Sequence, residues 1–111
     1  MKAGIVATLV SLFSTGVMAQ PMMYGLGTQG CGKYVAVADQ GKRGDGQEVY
    51  QYITWMSGFM SHASSVNGVD YFKNSDTESV QLWLENYCRA HPLEPFAIAV
   101  AQLMVELSKK Q

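Results

Sequence analysis

The stretch of the sequence that decides the fold is SDTESVQLWLENYCRAHP, residues 75–92. Its apolar side chains recur at i, i+3, i+4, i+7 and i+8, the spacing of one face of an α-helix: Val80, Trp83, Leu84, Tyr87 and Cys88. Ser75 followed by Glu78 has the pattern of a capping box, which predicts that the helix begins there. Pro92 disfavours helical geometry in the residue before it, so we expect the helix to end at about Arg89.

The N-terminus indicates the compartment in which this helix folds. Lys2 supplies a positive charge, residues 3–17 are mostly apolar, and Val17-Met18-Ala19 has the small-x-small pattern that signal peptidase cleaves. The apolar run is too short and too interrupted by Ser and Thr to span a hydrocarbon core of about 30 Å. We therefore predict a signal peptide over residues 1–19, a periplasmic location without a membrane anchor, and a mature chain that begins at Gln20.

Cys88 has a single possible partner in the chain, Cys31. One disulfide suits a small exported domain, because oxidising compartments permit it and such a domain has a limited core. The bridge would close a loop of about 58 residues and stabilise the fold by about 4 kcal/mol. Two free thiols are the alternative, whereas a metal site would need further ligands at close spacing. The sequence predicts a disulfide that joins the first helix to the third.

The rest of the mature chain reads as further helices with almost no strand signal. Residues 20–30 are rich in glycine and lack periodicity, which predicts a flexible arm. Helices are predicted at about 31–39 and 47–66, separated by a glycine-rich loop, and a last helix is opened by a proline in its first turn. The fold class is therefore all-α, a small single-domain bundle of about four helices over 31–111. We expect its core to combine residues of the last three helices: Met56, Trp83, Leu84, Tyr87, Phe96 and Val100.

Composition and motifs argue against nucleic-acid binding and most catalysis. Without Lys2 the chain has seven Lys and Arg against nine Asp and Glu, a net charge of −2, with no basic cluster. The segment GLGTQG, residues 25–30, matches a dinucleotide fingerprint but lacks the preceding strand that this motif requires. His62 and His91 are expected at the surface or at a helix end, since no nucleophile or orienting carboxylate is evident beside them. We expect no catalytic residue, no metal site and no cofactor.

The order of these features resembles the HdeA/HdeB group of small periplasmic acid-stress chaperones. The matching elements are Cys31, Trp55, residues 68–70, the segment 87–92 with its Tyr-Cys and Pro, and residues 97–101. The resemblance covers about residues 31–107. It implies a protein that is a folded, inactive dimer at neutral pH and that exposes apolar surface to unfolding proteins in acid.

A second resemblance is to the Tai-like immunity proteins of type VI secretion. It rests on the aromatic-Gly-aromatic segment 55–60, together with the signal peptide and the disulfide. That group consists of small helical proteins that bind and block a toxic cell-wall amidase in the periplasm. Both resemblances imply binding to other proteins and no enzymatic activity.

The functional prediction is a periplasmic binding protein, either an acid-stress chaperone or an immunity protein. Its partners would be unfolded periplasmic clients or one specific toxin, with a second copy of the chain as a further candidate. The predicted binding surface combines apolar stripes of the second and last helices: Trp55, Met56, Phe59, Met60, Phe96, Val100 and Leu103. Met22 and Met23 are left open as an adaptable surface, since thioethers repack readily, whereas Met104 is expected in the core.

Overall fold

The computed structural model describes residues 3–4 and 22–111. This part of the chain forms four helices: α1 (Cys31–Lys42), α2 (Gln47–Asn67), α3 (Thr77–Ala90) and α4 (Phe96–Ser108). A short 3-10 helix, Gly25–Thr28, precedes them, and the described residues form no strand. The predicted all-α class is confirmed. The predicted signal peptide, apart from Ala3 and Gly4, lies outside the described residues and stays a prediction.

The predicted disulfide is confirmed and joins the start of α1 to the end of α3. Cys31 and Cys88 are both fully buried, and their Cα atoms are 4.7 Å apart. Backbone hydrogen bonds reinforce this end of the bundle, because the Cys31 N–H donates to Glu94 O at 2.7 Å and the Phe96 N–H donates to Gln29 O at 2.7 Å. The segment before α1 is therefore attached to the connection between α3 and α4.

Two glycines near the ends of α2 have different roles. Gly68 ends α2 with a φ of +75°, a left-handed conformation that glycine adopts at little cost, and its N–H donates to Ser64 O at 2.8 Å. Gly41, predicted to interrupt the first helix, lies inside α1 instead. A Cβ at Gly41 would come within 3.0 Å of the Val49 side chain, so this glycine lets α1 and α2 approach closely. Helix α1 consequently runs three residues further than predicted.

The N-cap of α3 differs from the predicted capping box. Asp76 caps the helix, with extended backbone angles and a side chain that accepts a hydrogen bond from the Ser79 N–H at 2.8 Å. Ser75 is engaged elsewhere, because its hydroxyl donates to Phe72 O at 2.9 Å. The prediction that Ser75 caps α3 is wrong by one residue, since the aspartate carboxylate competes for the same backbone N–H groups.

The segment before α1 is more ordered than the predicted arm. Residues 25–28 form a 3-10 turn that packs against α2 and α4, and Gly27 is buried. The indole of Trp55 lies directly on this turn: a Cβ at Gly27 would come within 2.2 Å of its ring carbons. The Trp55 Nε1–H donates to Tyr24 O at 3.1 Å. Residues 24–28 are thus held in place by one tryptophan.

The centre of the core is an aromatic cluster contributed by α1, α2 and α4. Phe96 has its ring centroid 4.7 Å from that of Tyr34 and 5.0 Å from that of Tyr52. From α3, Leu84 is fully buried, whereas Trp83 and Tyr87 are only half-buried at the edge of the cluster. The expectation that Trp83 and Tyr87 form the core centre is therefore wrong.

Helical phase explains where α3 places its aromatic side chains. The face of α3 that is turned inward consists of positions four residues apart, Val80, Leu84 and Cys88. Trp83 and Tyr87 lie beside that face, and their rings stack on each other with centroids 5.3 Å apart. They cover the flank of the bundle.

Candidate functional site

The predicted binding surface is mostly interior in the folded protein. Its five residues on the inward faces of α2 and α4 are buried: Met56, Met60, Phe96, Val100 and Leu103. Trp55 and Phe59 are half-buried, and their rings stack at a centroid distance of 5.3 Å. A partner that meets the closed bundle therefore contacts Trp55 and Phe59 first, and the other five become accessible only if the helices separate.

A groove of about 620 Å³ runs along the exposed side of Trp55 and Phe59. One wall is the extended segment 22–24, and the other is the outer side of α2, where Gly58 leaves the backbone open. Met22 and Tyr24 are largely exposed along this wall, and Met23 is 39% exposed. His62 lies at the far end of the groove on α2 and is exposed, as predicted.

Two ion pairs join α1 to α3 in addition to the disulfide. The Lys42 Nζ lies 2.5 Å from Glu85 Oε2, and an Arg89 guanidinium nitrogen lies 2.6 Å from Asp39 Oδ1. Glu85 is the one buried charged residue of the described chain. Leaving a buried carboxylate without a cation would be unfavourable, so the contact with Lys42 offsets the burial of Glu85.

A third polar contact joins α3 to the loop that follows it. The Tyr87 hydroxyl donates to Glu94 Oε2 at 2.6 Å, and this hydrogen bond to a carboxylate raises the pKa of Tyr87. The imidazole of His91 stacks on the Tyr87 ring at 4.3 Å, with its Nδ1 2.9 Å from Tyr87 O. His91 is therefore used at the end of α3, as the sequence predicted.

Buried tyrosines are the other ionisable groups of the interior. Burial, and secondarily the nearby charge of Glu85, raises the pKa of Tyr34 far above its usual value. Burial also raises the pKa of Tyr52, with a smaller contribution from Glu48. The Tyr34 hydroxyl is buried, and no described residue offers it a hydrogen-bond partner. Both tyrosines are consequently kept neutral.

Sequence reasoning missed the groups that connect the helices. Glu85 was not singled out, although it directly follows Leu84 and lies three residues before Cys88 on the inward side of α3. A charged residue in such a position indicates a buried ion pair, since isolated charges are rarely buried. The partner Lys42 had no comparable signal, because it lies 43 residues away and is brought near by tertiary packing.

Neither metal ligation by the usual residue types nor membrane insertion is visible in residues 3–4 and 22–111. No three of their His, Cys, Asp and Glu side chains are grouped so that they could hold a metal ion. None of the helices found there combines the length and the apolar character needed to cross a membrane. The disulfide is the type of bond found in oxidising compartments and fits a secreted protein. Comparison of the chain with protein-family models, with curated proteins and with solved structures found no match.

Proposed function

We propose that this protein is a periplasmic binding protein without catalysis that holds unfolding proteins at low pH, as HdeA-type chaperones do. One observation carries the proposal: the three side-chain polar contacts that join α1 to α3, and α3 to the loop after it, each use a carboxylate, whereas the disulfide does not titrate. The carboxylates are Asp39, Glu85 and Glu94. Acid removes the charge from the two ion pairs and from the acceptor of the Tyr87 hydrogen bond, and it leaves the disulfide intact.

The net charge supports opening of the bundle in acid. In strong acid, well below the pH range in which carboxyl groups titrate, the nine Asp and Glu of the mature chain are neutral. Seven Lys and Arg together with two His then give a net charge of about +9 by counting, against −2 at neutral pH. The repulsion among like charges opposes the compact state.

The disulfide determines which helices can separate in acid. Helices α1 and α3 stay joined through Cys31 and Cys88, whereas no ion pair or disulfide among the described residues holds α2 or α4 to them. Their inward faces carry the apolar residues that the closed state buries, from Trp55 to Met60 on α2 and from Phe96 to Leu107 on α4. These faces are the proposed client-binding surface, since apolar side chains of this kind bind exposed apolar segments of unfolding proteins.

The test is a client-aggregation assay at intervals between pH ~2 and ~7, with an environment-sensitive dye that reports exposed apolar surface. We expect protection to appear in acid together with dye binding. Glu85→Gln keeps the shape of the side chain but removes the charge that pairs with Lys42, so both signals should appear at a higher pH. Glu106→Gln is the matched control, because Glu106 is exposed and pairs only with Lys109 one turn away. A chain that stays tightly folded at pH ~3 and protects no client would remove the proposal.

An immunity protein is the second candidate, and the groove beside Trp55 is the observation that favours it. An inhibitor needs a preformed surface at neutral pH, and half-buried aromatic side chains are typical anchors of protein interfaces. Under this hypothesis the folded protein captures one cell-wall hydrolase at neutral pH. Trp55→Ala should then abolish capture, and acid should give no client protection.

A further inference from the structure

The groove beside Trp55 brings together an unusual set of donor atoms. Two thioethers, Met22 and Met23, line one wall, and the imidazole of His62 and the indole of Trp55 line the other. No Asp or Glu lines the groove. Neither of the two cysteines of the chain is free to contribute a thiolate, because both are in the disulfide. The groove thus brings together thioether and imidazole groups, which are soft and borderline metal ligands, and contains no carboxylate.

The walls of the groove are fixed relative to each other. Gly27 lies directly against the Trp55 ring, and the Trp55 Nε1–H donates to Tyr24 O, so the segment that carries both thioethers is held beside α2. The Tyr24 hydroxyl in turn donates to Met22 Sδ at 3.4 Å. Methionine side chains have three rotatable bonds, and both of these are exposed, so they can close on a ligand without movement of the helix.

We propose that this groove binds a soft monovalent cation of the Cu(I) or Ag(I) type. The ligands are the Sδ atoms of Met22 and Met23 and an imidazole nitrogen of His62, and Trp55 lies in the same groove. Thioethers and imidazole suit Cu(I), whereas Mg²⁺ and Ca²⁺ require oxygen ligands.

The other methionines within residues 22–111 and the other histidine are already used elsewhere in the fold. Met56 and Met60 are buried in the core, and Met104 is half-buried against it. His91 is engaged with the backbone and ring of Tyr87. The ion site does not depend on the proposed chaperone function, since it belongs to the closed bundle at neutral pH.

The test uses Ag(I), added as the nitrate in chloride-free buffer, and the protein purified after expression of the full chain. Trp83→Phe leaves Trp55 as the one tryptophan, so its fluorescence reports the groove alone. We expect saturable quenching of the Trp55 fluorescence at one Ag(I) ion per chain. When Cu(I) is supplied from a competing chelator, the wild-type protein and the variants below should rank in the same order of affinity as they do for Ag(I). Zn(II) should not compete at equal concentration, because the site has one imidazole and no thiolate or carboxylate.

Two variants identify the ligands, and one is the control. Met22→Leu combined with Met23→Leu should weaken Ag(I) binding by far more than tenfold, and His62→Gln by about tenfold or more, since even residues that only support a metal ligand have effects of this size. Met104→Leu, in α4 and outside the groove, should leave the affinity unchanged. Met22, Met23 and His62 are exposed and lie outside the core, so their substitution should leave the circular dichroism spectrum unchanged. Equal quenching in the double variant, or Zn(II) binding as tight as Ag(I) binding, would overturn the proposal.

Discussion

Removal of the disulfide should reduce stability by an amount that follows from the position of the two cysteines. Cys31 and Cys88 are 57 residues apart, and in the chain-entropy model a loop of about 58 residues corresponds to about 4 kcal/mol at 25 °C. Both side chains are fully buried, so Cys31→Ala with Cys88→Ala also loses packing of the two sulfur atoms, which adds roughly 1 kcal/mol. For a domain of this size the total corresponds to a decrease in Tm on the order of 20 °C.

The assay is urea unfolding followed by circular dichroism, with the wild-type protein measured in the presence and absence of reductant. Reduction keeps both sulfur atoms in the core and removes only the cross-link, so it isolates the loop term. We expect reduction to account for most of the loss and the double alanine variant to lose slightly more.

A different outcome would identify a fault in this reasoning. If the reduced and oxidised wild-type proteins unfold at the same urea concentration while the double variant is much weaker, packing of the sulfur atoms and not the cross-link supports the fold. A reduced protein that is unfolded even without urea would mean that the total stability of the oxidised protein is less than about 4 kcal/mol, so that the core does not maintain the fold without the bridge.

Three further substitutions test the core, the cap and the groove. Tyr34→Phe should leave stability at pH 7 unchanged or raise it by about 1 kcal/mol, because the buried hydroxyl has no described partner. Burial raises the pKa of Tyr34. The stability that depends on its neutral hydroxyl is therefore fully present below about pH 10 and is lost as the pH rises toward the pKa of the folded state. Alkaline thermal melts should accordingly show a smaller decrease in Tm for the Phe variant than for the wild-type protein. Hydrogen bonds from the Ser79 N–H and hydroxyl lower the pKa of Asp76, so Asp76→Ala should lower Tm at pH 7, and the difference should vanish as the pH falls below about 4. Gly27→Ala should destabilise the protein by roughly 1–3 kcal/mol, since its Cβ would overlap the Trp55 ring, whereas the control Gly58→Ala, open to solvent within α2, should stabilise it by about 0.5–1 kcal/mol. Equal effects of the two glycine changes in denaturant melts would contradict the packing of Trp55 on the turn.

Helices and the disulfide could be predicted because their signals are local or unique. The α3 stripe, the loop glycines and Pro92 each act through their own backbone, so the helix limits came within a few residues of the observed ones. The disulfide needed no geometry, because a chain with two cysteines has a single pairing. Gly41 was the exception, since its role depends on the approach of Val49 from another helix.

The candidate site could be predicted only as a set of apolar residues. Periodicity found the inward faces of α2 and α4, but it could not distinguish Trp83 at the flank from Leu84 in the core, because both lie within one helical stripe. The contacts between Lys42 and Glu85 and between Gly27 and Trp55 join residues far apart in the chain, and no spacing rule predicts such pairs. Contacts that depend on tertiary packing, and not on a local pattern, could not be predicted from the sequence.

The attachment of residues 29–32 to residues 92–96 also governs when the protein can fold. A chain that emerges from a ribosome with its N-terminus first exposes Gln29 and Cys31 long before their backbone partners, Phe96 and Glu94. Until those residues have emerged, α1 and α2 lack the ring of Phe96 that completes the aromatic cluster. Contacts of such long range slow folding, because the loop between them must close before they form. The closed bundle can therefore be completed only after almost the whole of residues 29–96 has been synthesised.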